Sequence, residues 1–136
     1  MIALAFTENG PWGFAPAVHG SVYIVLHWST SVATQVSNCK VGATYLISWY
    51  QRSRPNHVYC PIDINVYTDN VLLYANPSVS PNSWKLESAT WTASTTSPTL
   101  VFNTTNPLGC DAATFLDLIV VKEGTSRKLK TLIPNS

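Results

Sequence analysis

Apolar and polar residues alternate along most of this chain, and no segment keeps the 3.6-residue period of an amphipathic helix. A period of two puts one row of side chains on each side of a strand. A chain patterned this way buries its apolar rows by stacking sheets. The predicted strands are "SVYIVLHW" (21–28), "SVATQVSN" (31–38), "TYLISWYQRSR" (44–54), "PIDINVYT" (61–68), "VLLYA" (71–75), "WKLESATWTA" (84–93), "TLVFN" (99–103) and "TFLDLIVVKE" (114–123). Residues 40–43 read as a turn. Asp69-Asn70 reads as a tight hairpin turn, because both residues tolerate positive φ. Residues 76–83 and 104–113 are loops by composition. Trp84 and Trp91 fall on opposite parities of one predicted strand, which reads as a bulge. About eight short strands at regular spacing predict an all-β fold, a two-sheet antiparallel β-sandwich or jelly roll. Its core is expected to hold Tyr45, Ile47, Trp49, Ile62, Ile64, Val66, Leu100, Phe102, Ile119 and Val121.

With 136 residues the chain suits one domain, read as 1–124 followed by a basic tail at 125–136. Charged residues make up 11%, well under the usual quarter, while five Trp and six Tyr are many for this length. That balance fits an extracellular, cell-surface or virion-type β domain better than a cytosolic enzyme. A net charge of +1 offers no bulk field for nucleic acid or an anionic membrane. Lys122, Arg127, Lys128 and Lys130 concentrate positive charge near the C-terminus, and a solvated tail is preferred over a docking arm. No apolar run is long enough for membrane insertion as a helix. The opening "MIALAFTENG" has no basic stretch and does not read as a signal peptide.

Enzyme chemistry finds little support. Asp63, Asp69, Asp111 and Asp117 lie on separate elements rather than as the paired carboxylates of a glycosidase. There is no glycine-rich phosphate loop. Cys39, Cys60 and Cys110 lack C-x-x-C spacing and, with three scattered histidines, make a poor metal set. One disulfide plus one thiol fits, but spacing alone does not choose the pair. Asn103-Thr104-Thr105 is an N-glycosylation sequon, relevant on a secretory route.

The order of motifs resembles the galactose-binding-like jelly rolls of carbohydrate-binding modules and of a plant cell-wall family. It runs "HGSVYIVL", "SVATQVSNCKVGATYLISWY", "RSRPNHVYCPIDINVYTDN", "SWKLESATWTA", "SPTLVFNTTN", "CDAATFLDLIVVKEG" and covers roughly residues 18–124. The resemblance implies a non-catalytic domain that binds a glycan or cell-wall polysaccharide. It also implies a Cys60–Cys110 disulfide, leaving Cys39 as a thiol. Such a bridge closes about 50 residues, worth about 4 kcal/mol by loop entropy. Asp117 shares parity with Phe115, Ile119 and Val121 and is therefore expected on the inner side of its strand. There a carboxylate needs hydrogen bonds or a cation. The resemblance offers backbone amides or a structural Ca²⁺ with Glu8 as second ligand. Amides are preferred, because "AFTENGPWGF" matches the family's opening strand poorly.

Strand parity then locates a site. Tyr50, Arg52 and Arg54 should face outward from one strand, and Asp63, Asn65 and Tyr67 from the next. If those strands pair, one face carries rings to stack on a pyranose and planar groups to take its hydroxyls, with His57 on the connecting loop. The expected function is a carbohydrate-binding domain of a cell-surface, wall-associated or virion protein. The alternative is an assembly module such as a cement protein, with that face packed on neighbouring subunits.

Overall fold

The computed structural model describes residues 4–7, 18, 22–55, 60–124 and 129–131. These form strands β1 (Leu4–Thr7), β2 (Val22–His27), β3 (Thr30–Gln35), β4 (Thr44–Ser53), β5 (Ile64–Thr68), β6 (Val71–Asn76), β7 (Lys85–Thr92), β8 (Thr99–Thr104), β9 (Ala113–Glu123) and β10 (Leu129–Thr131). One sheet runs β1-β2-β9-β4-β7, with β10 also pairing β9; the other runs β3-β8-β5-β6. All pairings are antiparallel. No helix among the described residues is long and apolar enough to cross a membrane. This is the expected two-sheet sandwich.

The Asp69-Asn70 turn joins β5 to β6 with φ of 45° and 67°, as a tight hairpin requires. Two strands escape the sequence pattern. β1 lies in the opening segment and β10 inside the segment read as a tail; strands of four and three residues are too short to display alternation. β7 carries no bulge: its pairing with β4 runs unbroken from Thr44↔Thr92 to Gln51↔Lys85. The opposite parity of its tryptophans has a simpler cause. Trp84 precedes the strand and packs on the outer side of the larger sheet, while Trp91 points into the core. The bulge lies instead in β9, where the register with β4 shifts between Ser48 and Tyr50 and Leu118 takes a φ of 48°.

All ten residues expected in the core are buried. Trp49 sits at its centre, edge-on to Phe102 at 5.3 Å and to Tyr74 at 5.1 Å between ring centroids. Its indole Nε1 donates to Gln51 Oε1 at 2.9 Å, and Gln51 Nε2 donates to Tyr74 Oη at 3.1 Å. Tyr74 in turn donates to Glu87 on β7, so a partly buried polar chain ties the edge strands of the two sheets together. Trp49→Ala should remove about 3–5 kcal/mol of stability, read from the midpoint of chemical denaturation. Peptide mapping without reductant should recover Cys60 joined to Cys110 and leave Cys39 alkylated only after unfolding.

Candidate binding site at the stapled rim

The site residues expected on one face divide between two. β4 and β5 belong to opposite sheets, so Tyr50, Arg52 and Arg54 do not stand beside Asn65 and Tyr67. The strand opposite β4 is β9, with Tyr50 level with Asp117 and Arg52 level with Phe115. Parity placed the β4 side chains on the outward side correctly; it could not say which strand would pair there.

That outer face is not bare. Tyr23, Val25, Ala113 and Phe115 form a buried cluster on it, with Trp84 packed against them. Tyr23 lies 4.9 Å from Phe115 and 5.7 Å from Trp84, centroid to centroid. Arg52 is held down by this cover. Its guanidinium lies 6.0 Å from the Trp84 centroid and donates to Pro81 O, leaving the residue 8% exposed. Burial pulls its pKa below the ordinary guanidinium value, opposed by Tyr23. Arg52 is therefore a packing residue of this face rather than an exposed contact.

The face becomes accessible at its rim. Arg54 continues the β4 ladder by donating its N–H to Ala113 O at 3.0 Å. Its Nη1 donates to Asp111 Oδ1 at 2.9 Å, and His27 Nε2 meets the same oxygen at 2.8 Å. Against a carboxylate acceptor that nitrogen carries the proton. Beside it, the Trp28 ring lies 5.6 Å from the imidazole and is 39% exposed. Trp28 holds a φ of 64°, uncommon for a bulky side chain. The conformation persists because its N–H donates to Ala112 O at 3.1 Å and its carbonyl accepts from Thr104 Oγ1 at 2.6 Å. Cys110, next to Asp111, is bonded to Cys60 with a Cα–Cα distance of 6.2 Å, and Cys39 remains a buried thiol. The bridge implied by the resemblance thus anchors the loop that carries Asp111. Trp28, His27 and Asp111 were not among the expected site residues. An indole after a strand reads as edge packing until its neighbours are known.

Asp63 stands apart from the expected outer face. β5 begins one residue later, so strand parity does not govern it, and the residue is 7% exposed. Its carboxylate accepts the N–H of Thr105 at 2.8 Å, the N–H of Asn106 at 3.1 Å and Asn65 Nδ2 at 2.9 Å, and the Thr105 hydroxyl as well. Burial alone would raise its pKa, but these donors outweigh it and hold the group below 3.8. Asp117 does accept backbone amides, from Val18 at 2.8 Å and Leu118 at 2.8 Å. The bulge, however, puts it on the outer face with Phe115 rather than on the core side with Ile119 and Val121. Asn65 and Tyr67 lie on the outer side of the smaller sheet. There Tyr67, Asn70, Val101 and Asn103 line a hollow of about 220 Å³. His57, Glu8, Arg127 and Lys128 lie outside the described residues.

No family model and no curated protein matches the chain in sequence. Solved structures do match in fold. The CBM22-1 xylan-binding domain from Paenibacillus barcinonensis Xyn10C is similar with a TM-score of 0.57 and 12% identity, covering 91% of this chain and 83% of that one. TmCBM61, solved with beta-1,4-galactotriose, gives a TM-score of 0.57 and 10% identity over 90% and 82%. The EclA C-terminal domain, a sugar-binding protein, gives 0.55 and 9% over 88% and 76%. The chain thus has the jelly-roll sandwich that carbohydrate-binding modules share.

The Asp63 hub makes a prediction. A carboxyl with a depressed folded pKa adds stability above its unfolded pKa, and that stability is lost as pH falls through the folded value. The protein should therefore weaken as pH drops below about 4. Asp63→Asn should cost about 1–3 kcal/mol at neutral pH and flatten that acid limb, as followed by denaturation midpoints across pH.

Proposed function

We propose that the domain binds glycans without catalysis, at the rim formed by Trp28, His27, Asp111 and Arg54. One observation carries this reading: an exposed indole fixed at positive φ beside a carboxylate shared by an arginine and a histidine. A pyranose presents an apolar C–H face and a perimeter of hydroxyls. The Trp28 ring takes the face, and the charged triad takes hydroxyl pairs through charge-assisted hydrogen bonds. The fold likeness to sugar-binding modules supports the same ligand class. A non-catalytic role agrees with the state of the carboxylates. Asp63 and Asp117 are both held by backbone amides, and Asp111 is tied to Arg54 and His27. The Cys60–Cys110 bridge supports an oxidising, extracellular setting, with display on a cell surface, wall or virion as the use of such a domain.

A glycan array on the purified domain, followed by calorimetry on the best ligand, tests this. Trp28→Ala and Arg54→Ala should each weaken binding about tenfold or more, with little change in melting temperature. Tyr67→Ala, on the opposite sheet, should bind like the parent. A blank array, or full binding by both rim variants, overturns the proposal.

A further inference from the structure

The Asn103-Thr104-Thr105 sequon meets the sequence requirement for N-glycosylation, a hydroxyl two residues after the asparagine with no proline between. The fold gives it a particular place. β8 alternates strictly, with Leu100, Phe102 and Thr104 buried and Val101 and Asn103 on the outer side of the smaller sheet. Ser31 of β3 and Asn65 of β5 stand level with Asn103, and Ala33 and Tyr67 stand level with Val101. Asn103 is partly exposed there, and it lines a hollow of about 220 Å³ with Tyr67, Asn70 and Val101.

This hollow is what a sugar attached to Asn103 meets first. Tyr67 is the diagonal neighbour of Asn103 across the two strands, a separation that an aromatic side chain spans. Its ring offers a flat apolar surface to the C–H face of a sugar. Val101 adds apolar contact, and Asn70 brings an amide from the hairpin turn. None of the four lining residues carries a charge. The volume lies below the roughly 300–1,000 Å³ of sites for drug-sized ligands, so the hollow seats one ring and leaves the rest of a glycan in solvent.

We propose that Asn103 carries an N-linked glycan whose first N-acetylhexosamine lies over Tyr67 in this hollow. The donor is a lipid-pyrophosphate-linked oligosaccharide of the secretory route. Asn103 Nδ2 bonds to C1 of the sugar, the C1–O bond to the pyrophosphate breaks with its electron pair, and one Nδ2 proton leaves to a base. The transfer precedes closure of this sheet. In the fold β8 is paired on both sides, and the Thr105 hydroxyl donates to Asp63. A sequon held in that way can neither bend into a transferase site nor offer its hydroxyl there. The inference shares with the glycan-binding reading only the oxidising route that the Cys60–Cys110 bridge supports, and it uses the opposite sheet from the rim.

The test secretes the full chain from a eukaryotic host behind a cleavable leader and purifies the folded, disulfide-bonded protein. Glycan release by an amidase in H₂¹⁸O converts an occupied Asn103 to ¹⁸O-labelled Asp, read by peptide mass spectrometry. The label is expected at Asn103 in most molecules of the parent protein. A second sample, trimmed by an endoglycosidase to its first sugar, should show nuclear Overhauser contacts between that sugar and the Tyr67 ring. The ring signals are assigned by their loss in Tyr67→Leu. Asn103 recovered unlabelled from the folded parent overturns the modification, with no variant needed. A labelled Asn103 whose sugar makes no contact with Tyr67 overturns the seat. Neither result touches the rim, which is read by the array through Trp28 and Arg54, so the two readings fail separately.

Discussion

The pairing of β4 with β9 organises the molecule, and one extra residue in that pairing decides what each face receives. β9 is flanked by β4 along its length and by β2 and β10 on its other side, so it is the axis of the larger sheet. Opposite Trp49 the register slips, and Leu118 turns into the left-handed region to absorb the slip. Beyond the bulge, Ile119 and Val121 enter the core. Before it, Leu116 enters the core, and Phe115 and Asp117 turn outward. Without the slip, Asp117 would be carried to the core side. With it, the carboxylate meets the backbone amides of Val18 and Leu118 on the outer face.

The outer face that results is divided into a packed interior and an open rim. Aromatic rings and Arg52 fill the interior, Leu86, Ser88 and Thr90 stand exposed along β7, and the Arg54–Asp111 pair marks the rim at the end of β4. Two devices make that end rigid. The Cys60–Cys110 bond joins the loops before β5 and before β9. Asp63 gathers Thr105 and Asn106 from the second loop, while Asn106 Nδ2 donates back to Cys110 O at 2.9 Å. Asp111 follows immediately, so the carboxylate that joins Arg54 to His27 projects from a stapled loop. A carboxylate held on a stapled loop beside a ring of fixed backbone has little side-chain entropy left to lose in a further contact.

The smaller sheet shows how the same residue types take different roles once their neighbours change. Asn65 and Tyr67 alternate outward as the pattern of "PIDINVYT" requires, yet they face a separate surface with Asn103, not the arginines. Asn103 also opens the glycosylation sequon, and its place next to the last residue of β8 puts its side chain on a sheet face, with the sequon running off the strand end at Thr105. The edge where β6 and β7 meet is likewise specialised along its length, bridged by Tyr74 and Glu87 in one part and opened beside Trp91 in another.

Alternation within each strand was legible in the sequence, because the side a residue faces depends only on its distance from its neighbours in the chain. From it came the sandwich, the buried set around Trp49 and the outward row of Tyr50, Arg52 and Arg54, while the tolerance of Asp69 and Asn70 for positive φ gave their hairpin. The order of motifs, through the family they resemble, supplied the Cys60–Cys110 pair. Strand partnership and register were not legible, since they are set by contacts between residues far apart in the chain. β4 met β9 instead of β5, the bulge at Leu118 reversed Asp117, and Asp63 was drawn into its loop. Trp28, His27 and Asp111, silent in two separate segments, came together beside Arg54 only when β2, β4 and β9 lay side by side. The chain's local pattern determined which residues could be buried or exposed; long-range pairing decided which of them would meet.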